Sequence, residues 1–132
     1  VSEVVYSKVR PGNRTLILDA GMNDLMRPAL YSAYHEIIPT ELSREKKPIQ
    51  WDVVGGICET TDYFARGRPL AVDGLPGAFV AFLSSGAYGF SMSNTYNSRP
   101  KVAEVLVDGS KVKLIRERET IEDLISHEIF KA

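Results

Sequence analysis

The sequence predicts a mostly β fold, and three observations carry that prediction. Six short runs of strand-forming residues are separated by turn residues, at positions 4–9, 15–19, 51–54, 78–83, 103–107 and 111–116. Asp108-Gly109 lies between the last two runs, where a dipeptide that tolerates positive φ lets the chain reverse into an antiparallel hairpin. Apart from a helical turn near Pro28, only the final stretch carries helical periodicity.

The elements follow in order. The first run, Val4-Val5-Tyr6-Ser7-Lys8-Val9, begins almost at the first residue, Val1, as expected of a piece cut from a longer protein. After the second run, Pro28 stands where a helix can start, because its missing N–H costs nothing in the first turn. Residues 39–48 hold Glu41, Arg44, Glu45, Lys46 and Lys47 with little apolar content and read as a solvated excursion. The piece from 67 to 77 is rich in Gly and Pro and reads as a connection within one domain. Ala78-Phe79-Val80-Ala81-Phe82-Leu83 is apolar without alternation, the pattern of a strand covered on both faces. Lys111-Val112-Lys113-Leu114 alternates and is expected to be half exposed. Thr120 and Asp123 have the spacing of a capping box, and Ile121, Leu124, Ile125 and Ile129 then recur at helical period, so a short amphipathic helix ends the chain.

Composition sets the class. With 132 residues, 44% hydrophobic and 25% charged, the chain can bury a core, and residues 1–132 are expected to form a single domain. Sixteen basic and seventeen acidic residues leave a net charge of -1, so there is no broad positive field for nucleic acid or an anionic membrane. No apolar run is long enough to span a bilayer. Cys58 is the only cysteine, so no internal disulfide forms, and a reducing cytoplasmic address is expected.

Three clusters hold polar and glycine residues beyond what turns require. In the first, Arg27 and Tyr31 are four residues apart on a helical turn and share a face. A guanidinium fork beside a phenol suits a carboxylate, since both donate to one anion; an internal Arg–acid pair with a packed Tyr fits the same spacing. The second, Gly55-Gly56-Ile57-Cys58-Glu59-Thr60-Thr61-Asp62, follows an apolar strand. Free thiols ionise near pH ~8.5 in general, so a cysteine there is able to give a proton at neutral pH, though a lone cysteine also serves as a small buried hydrophobe. The third, residues 84–93, follows the apolar run at 78–83; its glycines allow backbone amides to approach a phosphate, and Tyr88 adds a hydroxyl. It continues into the polar loop 94–100, which equally reads as a series of capped turns.

Other chemistries lack their residues. His35 and His127 with one cysteine cannot make a structural zinc site, and neither histidine belongs to a His-Glu-x-x-His pattern. No Gly-x-Ser-x-Gly elbow is present, and no Gly-Lys-Ser/Thr ending makes the third cluster a P-loop. His127 reads as a surface or core-edge residue of the last helix rather than a base.

Taken in this order, the clusters resemble the diaminopimelate decarboxylase family. The segments that carry the resemblance are Gly21-Met22-Asn23-Asp24-Leu25-Met26-Arg27-Pro28-Ala29-Leu30-Tyr31, Cys58-Glu59-Thr60-Thr61-Asp62, Gly86-Ala87-Tyr88-Gly89-Phe90-Ser91-Met92-Ser93 and Tyr96-Asn97-Ser98-Arg99-Pro100. They span about residues 4–125; Thr60-Thr61 departs from the family, which more often has Ser-Gly or Ser-Ser there. The resemblance implies the C-terminal β-domain of a fold type III pyridoxal-phosphate decarboxylase, a β-sandwich or Greek-key barrel-like unit, with the N-terminal β/α barrel outside this chain. It implies decarboxylation of meso-2,6-diaminopimelate to L-lysine, the last step of lysine biosynthesis. Arg27 and Tyr31 then match positions that grip a substrate carboxylate, and Glu59 one that receives the distal ammonium. Cys58 matches the residue that returns a proton to the α-carbon, and Tyr88 one that contacts substrate and the cofactor phosphate.

The resemblance also implies what lies elsewhere. The lysine that anchors pyridoxal phosphate belongs to the barrel, in a motif that none of Lys8, Lys46, Lys47, Lys101, Lys111, Lys113 or Lys131 resembles. Active sites are expected at a homodimer interface, with the Cys58-Glu59 segment reaching into the partner's barrel. Two other readings stay open: a related decarboxylase acting on ornithine, arginine or carboxynorspermidine, and a non-catalytic β-sandwich that binds or dimerises. Arg27 argues against the first, because a purely cationic substrate tail would be repelled.

Overall fold

The computed structural model describes residues 1–41 and 47–129. Along the chain it gives strands β1 (Ser2–Arg10) and β2 (Asn13–Leu18), helix α1 (Arg27–Tyr31), and strands β3 (Ile37–Pro39), β4 (Ile49–Val54), β5 (Tyr63–Leu70) and β6 (Phe79–Phe82). Helix α2 (Gly89–Met92), a 3-10 turn (Tyr96–Ser98), strands β7 (Glu104–Asp108) and β8 (Lys111–Arg116), and helix α3 (Ile121–Ile125) follow. The mostly β expectation holds.

Six strands form one sheet in the order β3-β6-β1-β2-β4-β5, and its two outer strands β3 and β5 touch, so the sheet curls into a nearly closed barrel. Alternation explains the curl's filling. On β2, Leu16 and Leu18 point inward, and on β4 Trp51 and Val53 do so, all of them buried. Val4, Ile37, Phe64, Leu70, Val72 and Val80 complete the core, with Leu25 from the loop after β2. Burying each such side chain contributes about 1.5–3 kcal/mol.

Pairing is antiparallel throughout the sheet except between β2 and β4, which run parallel with Thr15 opposite Asp52, Leu16 opposite Val53 and Ile17 opposite Val54. Parallel neighbours end at the same rim. The loops that follow β2 and β4 therefore leave the barrel side by side.

Several expectations need correction. The run at 78–83 is not covered on both faces: Val80 is fully buried, but Phe79 and Leu83 keep 41% and 40% of their surface, because only the barrel interior covers this part of the sheet. Residues 67–70 are strand, not connection, and β3 has no counterpart among the six runs. Strand β8 is exposed along its whole length rather than half buried, since β7 and β8 form a separate two-stranded ribbon. That ribbon is the expected hairpin, but it turns at Gly109 and Ser110, with Gly109 at φ 58°, while Asp108 belongs to β7 and pairs with Lys111. The Thr120 capping box is present, but α3 stops at Ile125 and leaves Ile129 beyond it and exposed. Arg44, Glu45 and Lys46 of the expected excursion lie outside the described residues.

The ribbon is braced against α2 and at its own base. The Arg116 guanidinium lies 3.7 Å from the Phe90 ring centroid and donates to Glu104 at 2.6 Å. The backbone of Lys101 exchanges hydrogen bonds with Glu119, through its side chain at 2.9 Å and its amide at 3.0 Å.

Candidate functional site

The first cluster is built on α1. Pro28 sits in its first turn, and the one-and-a-half-turn helix brings Arg27 and Tyr31 together. Arg27 Nε donates to the Tyr31 hydroxyl at 2.7 Å, which leaves the phenolic hydrogen and the guanidinium Nη groups to donate outward. Among the described residues no Asp or Glu pairs with Arg27. The expected fork of donors is thus present, and the internal Arg–acid pair is not.

The third cluster reaches the same place. Tyr88 takes a left-handed conformation, φ 63°, directly before α2, and its ring centroid lies 6.0 Å from the Arg27 guanidinium carbon. A tyrosine held there is costly by about 1–2 kcal/mol, which a glycine would avoid. The ring remains 63% exposed, and a Cβ at Gly86 would meet nothing within 4 Å, so the surroundings of Tyr88 are open. Arg27, Tyr31 and Tyr88 form one group of donors.

The second cluster is the loop between β4 and β5. Cys58 is exposed at it, and the adjacent Glu59 is fixed by three neighbours. Its carboxylate accepts from the Thr61 amide at 3.2 Å, the Thr60 hydroxyl at 3.3 Å and the Tyr96 hydroxyl at 3.2 Å. These bonds, that of the Thr61 amide first, hold the Glu59 carboxyl below the ordinary carboxylate range. In return the hydrogen bond to Glu59 pushes the Tyr96 phenol up, and the charges of Glu59 and of an ionised Cys58 push the same way.

Two residues to which the sequence alone assigned no role, Tyr96 and Asp62, organise this arrangement. Asp62, 3% exposed, accepts from the Met22 amide at 2.7 Å and the Ile57 amide at 2.9 Å. It thereby joins the loop that leads to Arg27 with the loop that carries Cys58. No spacing rule could have found either contact, because the partners are 40 positions apart for Asp62 and Met22 and 37 for Tyr96 and Glu59.

The expected residues therefore fall into two groups, Arg27 with Tyr31 and Tyr88, and Cys58 with Glu59; their loops share a rim and the Met22–Asp62 bond, but no hydrogen bond among the described residues joins the side chains of one group to those of the other. Neither group faces the hollow of about 440 Å³ between the barrel and the ribbon, which Asp19, Asp24, Phe64, Phe90, Arg99 and Arg118 help to line. Burial in that wall raises the Asp24 carboxyl despite its bond from the Gly21 amide. His35 is buried, with Nδ1 3.0 Å from the Leu83 carbonyl, and His127 is exposed beyond α3.

Residues 1–86 match the family model described as "Pyridoxal-dependent decarboxylase, C-terminal sheet domain". The chain belongs to this family. As a member, it is 47% identical over 125 residues to the diaminopimelate decarboxylase of Aquifex aeolicus, a match that covers 95% of this chain and 29% of that one. The family member thus spans less than a third of the relative's length. The crystal structure of diaminopimelate decarboxylase from M. jannaschii in co-complex with L-lysine superposes with a TM-score of 0.90 at 43% identity, over 98% of this chain and 29% of that one. Lysine/ornithine decarboxylase of Vibrio vulnificus, complexed with cadaverine, shares the fold with a TM-score of 0.63 at 20% identity, over 73% of this chain and 25% of that one. No helix among the described residues is long and apolar enough to cross a membrane.

Proposed function

We propose that this domain is the substrate-facing part of a cytoplasmic, pyridoxal-phosphate-dependent carboxy-lyase that converts meso-2,6-diaminopimelate to L-lysine. The observation that carries this reading is the Arg27–Tyr31 pair, a cation and phenol bonded to each other at 2.7 Å with no acidic partner among the described residues. Such a pair awaits an external carboxylate. Of the substrates considered, diaminopimelate has a carboxylate at its distal end, whereas ornithine and arginine end in a cation. The 47% identity to a diaminopimelate decarboxylase supports the same choice.

The residues fit the groups the reading requires. Arg27, Tyr31 and Tyr88 are donors that suit anions, a substrate carboxylate and the cofactor phosphate, and the open space at Gly86 leaves room beside them. Tyr88 would hold the phosphate, and Arg27 with Tyr31 the distal carboxylate. Glu59, its carboxyl held below the ordinary carboxylate range by the Thr61 amide and its other hydrogen bonds, would take the distal ammonium. Cys58, exposed next to Glu59, would deliver the proton to the α-carbon from its Sγ. When bound, pyridoxal phosphate serves as the electron sink for the bond that breaks.

The division of the site into two groups supports assembly from two chains. In a homodimer, Cys58 and Glu59 of one protomer complete the site that holds Arg27, Tyr31 and Tyr88 of the other, and an N-terminal barrel supplies the anchoring lysine. The chain alone is accordingly inactive. The test is carbon dioxide release by the full-length enzyme from meso-diaminopimelate, ornithine and arginine. Diaminopimelate is expected to be strongly preferred, with Arg27→Met abolishing most of that preference. Equal turnover of ornithine overturns the substrate assignment, and measurable turnover by the isolated 132-residue chain overturns the division of labour.

A further inference from the structure

Asp62 has no part in the binding and proton transfer proposed above. It is almost fully buried, it ends the Cys58 loop, and both oxygens of its carboxylate are spoken for by amides of two different loops. Oδ2 accepts from Ile57, the residue before Cys58, and Oδ1 accepts from Met22, five residues before Arg27. Its own backbone closes the loop on itself: the Asp62 amide donates to the Glu59 carbonyl at 3.1 Å, and its carbonyl accepts from Gly55 at 3.0 Å. The loops interlock around this carboxylate. A Cβ at Gly55 would lie 2.2 Å from Asp62 Oδ2, and one at Gly21 would lie 2.6 Å from Ile57 Cδ1.

We infer that Asp62 is the positioning residue that fixes the Cys58-Glu59 loop against the Arg27 segment. The inference rests on the proposed roles of Glu59 and Cys58, since positioning matters only if those side chains meet substrate. A buried carboxylate accepting two backbone amides makes strong, directional bonds and leaves each amide without an alternative if it is removed. Asparagine keeps one acceptor oxygen but turns an NH2 donor toward the second amide, so one bond is lost and a donor faces a donor. Small displacements of reacting groups cost rate steeply, with about 1 Å worth about a hundredfold.

Two measurements on the full-length enzyme test this. In the wild-type protein, hydrogen exchange at Met22 and Ile57 is expected to be slowed at least about tenfold beyond open-loop rates, although neither residue lies in a strand or helix. Free exchange at both overturns the inference, and this readout needs no variant to fold. In a double-mutant cycle, Asp62→Asn is expected to raise KM for diaminopimelate and lower kcat by about tenfold each. Its effect on KM should largely vanish in the Glu59→Gln background, because the loop it holds no longer carries the ammonium site. Independent, multiplying effects overturn the positioning role and leave the substrate reading intact. An unchanged KM in Glu59→Gln alone overturns the reading beneath, and the inference with it, however well the amides are protected.

Discussion

The Tyr96 hydroxyl donates to Glu59 Oε2 at 3.2 Å, so a residue of the 3-10 turn holds the carboxylate of a loop 37 positions earlier. Each side chain alters the other's titration, Glu59 downward and Tyr96 upward. The pair gives a reciprocal prediction. Tyr96→Phe should move the Glu59 midpoint up toward 4.5 without reaching it, because the Thr61 amide remains the main cause. Glu59→Gln should bring the Tyr96 phenol down toward 10.0. Since the folded carboxyl lies below its unfolded value, the bonds around Glu59 are intact above about pH 4.5 and are lost as pH falls through the depressed midpoint. Side-chain NMR titration reads both shifts.

Replacing the two residues at the tip of the second loop should separate chemistry from binding. In the full-length enzyme, Cys58→Ala is expected to lower kcat about 10²–10⁴-fold, the usual range for removal of a proton donor, with KM little changed. Glu59→Ala is expected to act mainly on KM. Steady-state kinetics with diaminopimelate distinguishes the two, and unchanged constants in both would remove these residues from the site.

Gly55→Ala should destabilise the fold. The new methyl would sit 2.2 Å from a carboxylate oxygen that cannot retreat without dropping the Ile57 amide. Overpacking of this kind costs about 1–3 kcal/mol, measured as a lower urea midpoint.

Arg116→Ala should loosen the ribbon and leave the barrel alone. It removes the stack on Phe90 and the bond to Glu104, together worth about 1–2 kcal/mol at an exposed site. Amide exchange should quicken in β7 and β8 while Leu16, Leu18 and Val53 stay protected.

The parts of the fold legible in the sequence were those whose side chains alternate or whose turns demand a special residue. Leu16 with Leu18 and Trp51 with Val53 announce one inward face each, and Gly109 announces its hairpin. Strand β5 was hidden because Arg66, Gly67, Arg68 and Pro69 look like turn chemistry. The two arginines instead lay their guanidinium groups over Tyr63 at 3.9 Å and Tyr34 at 4.1 Å, contacts invisible to a local pattern. The same division runs through the site. Helical spacing puts Arg27 and Tyr31 on one face but leaves an internal pair open, and only the resemblance gives them a role. Asp62 and Tyr96 were not found, because a carboxylate that ties distant loops is, within its own segment, an ordinary acid after two threonines.

The parallel pairing of β2 with β4 bears on how such a site can diversify. Adjacency of the two rim loops is set by the short ladder from Thr15 opposite Asp52 to Ile17 opposite Val54. The chain between them also holds β3 and the buried Leu25 and Ile37, so change is confined to its exposed stretches, which can vary while the two loops stay neighbours. A scaffold of this kind lets specificity drift without asking the barrel to refold.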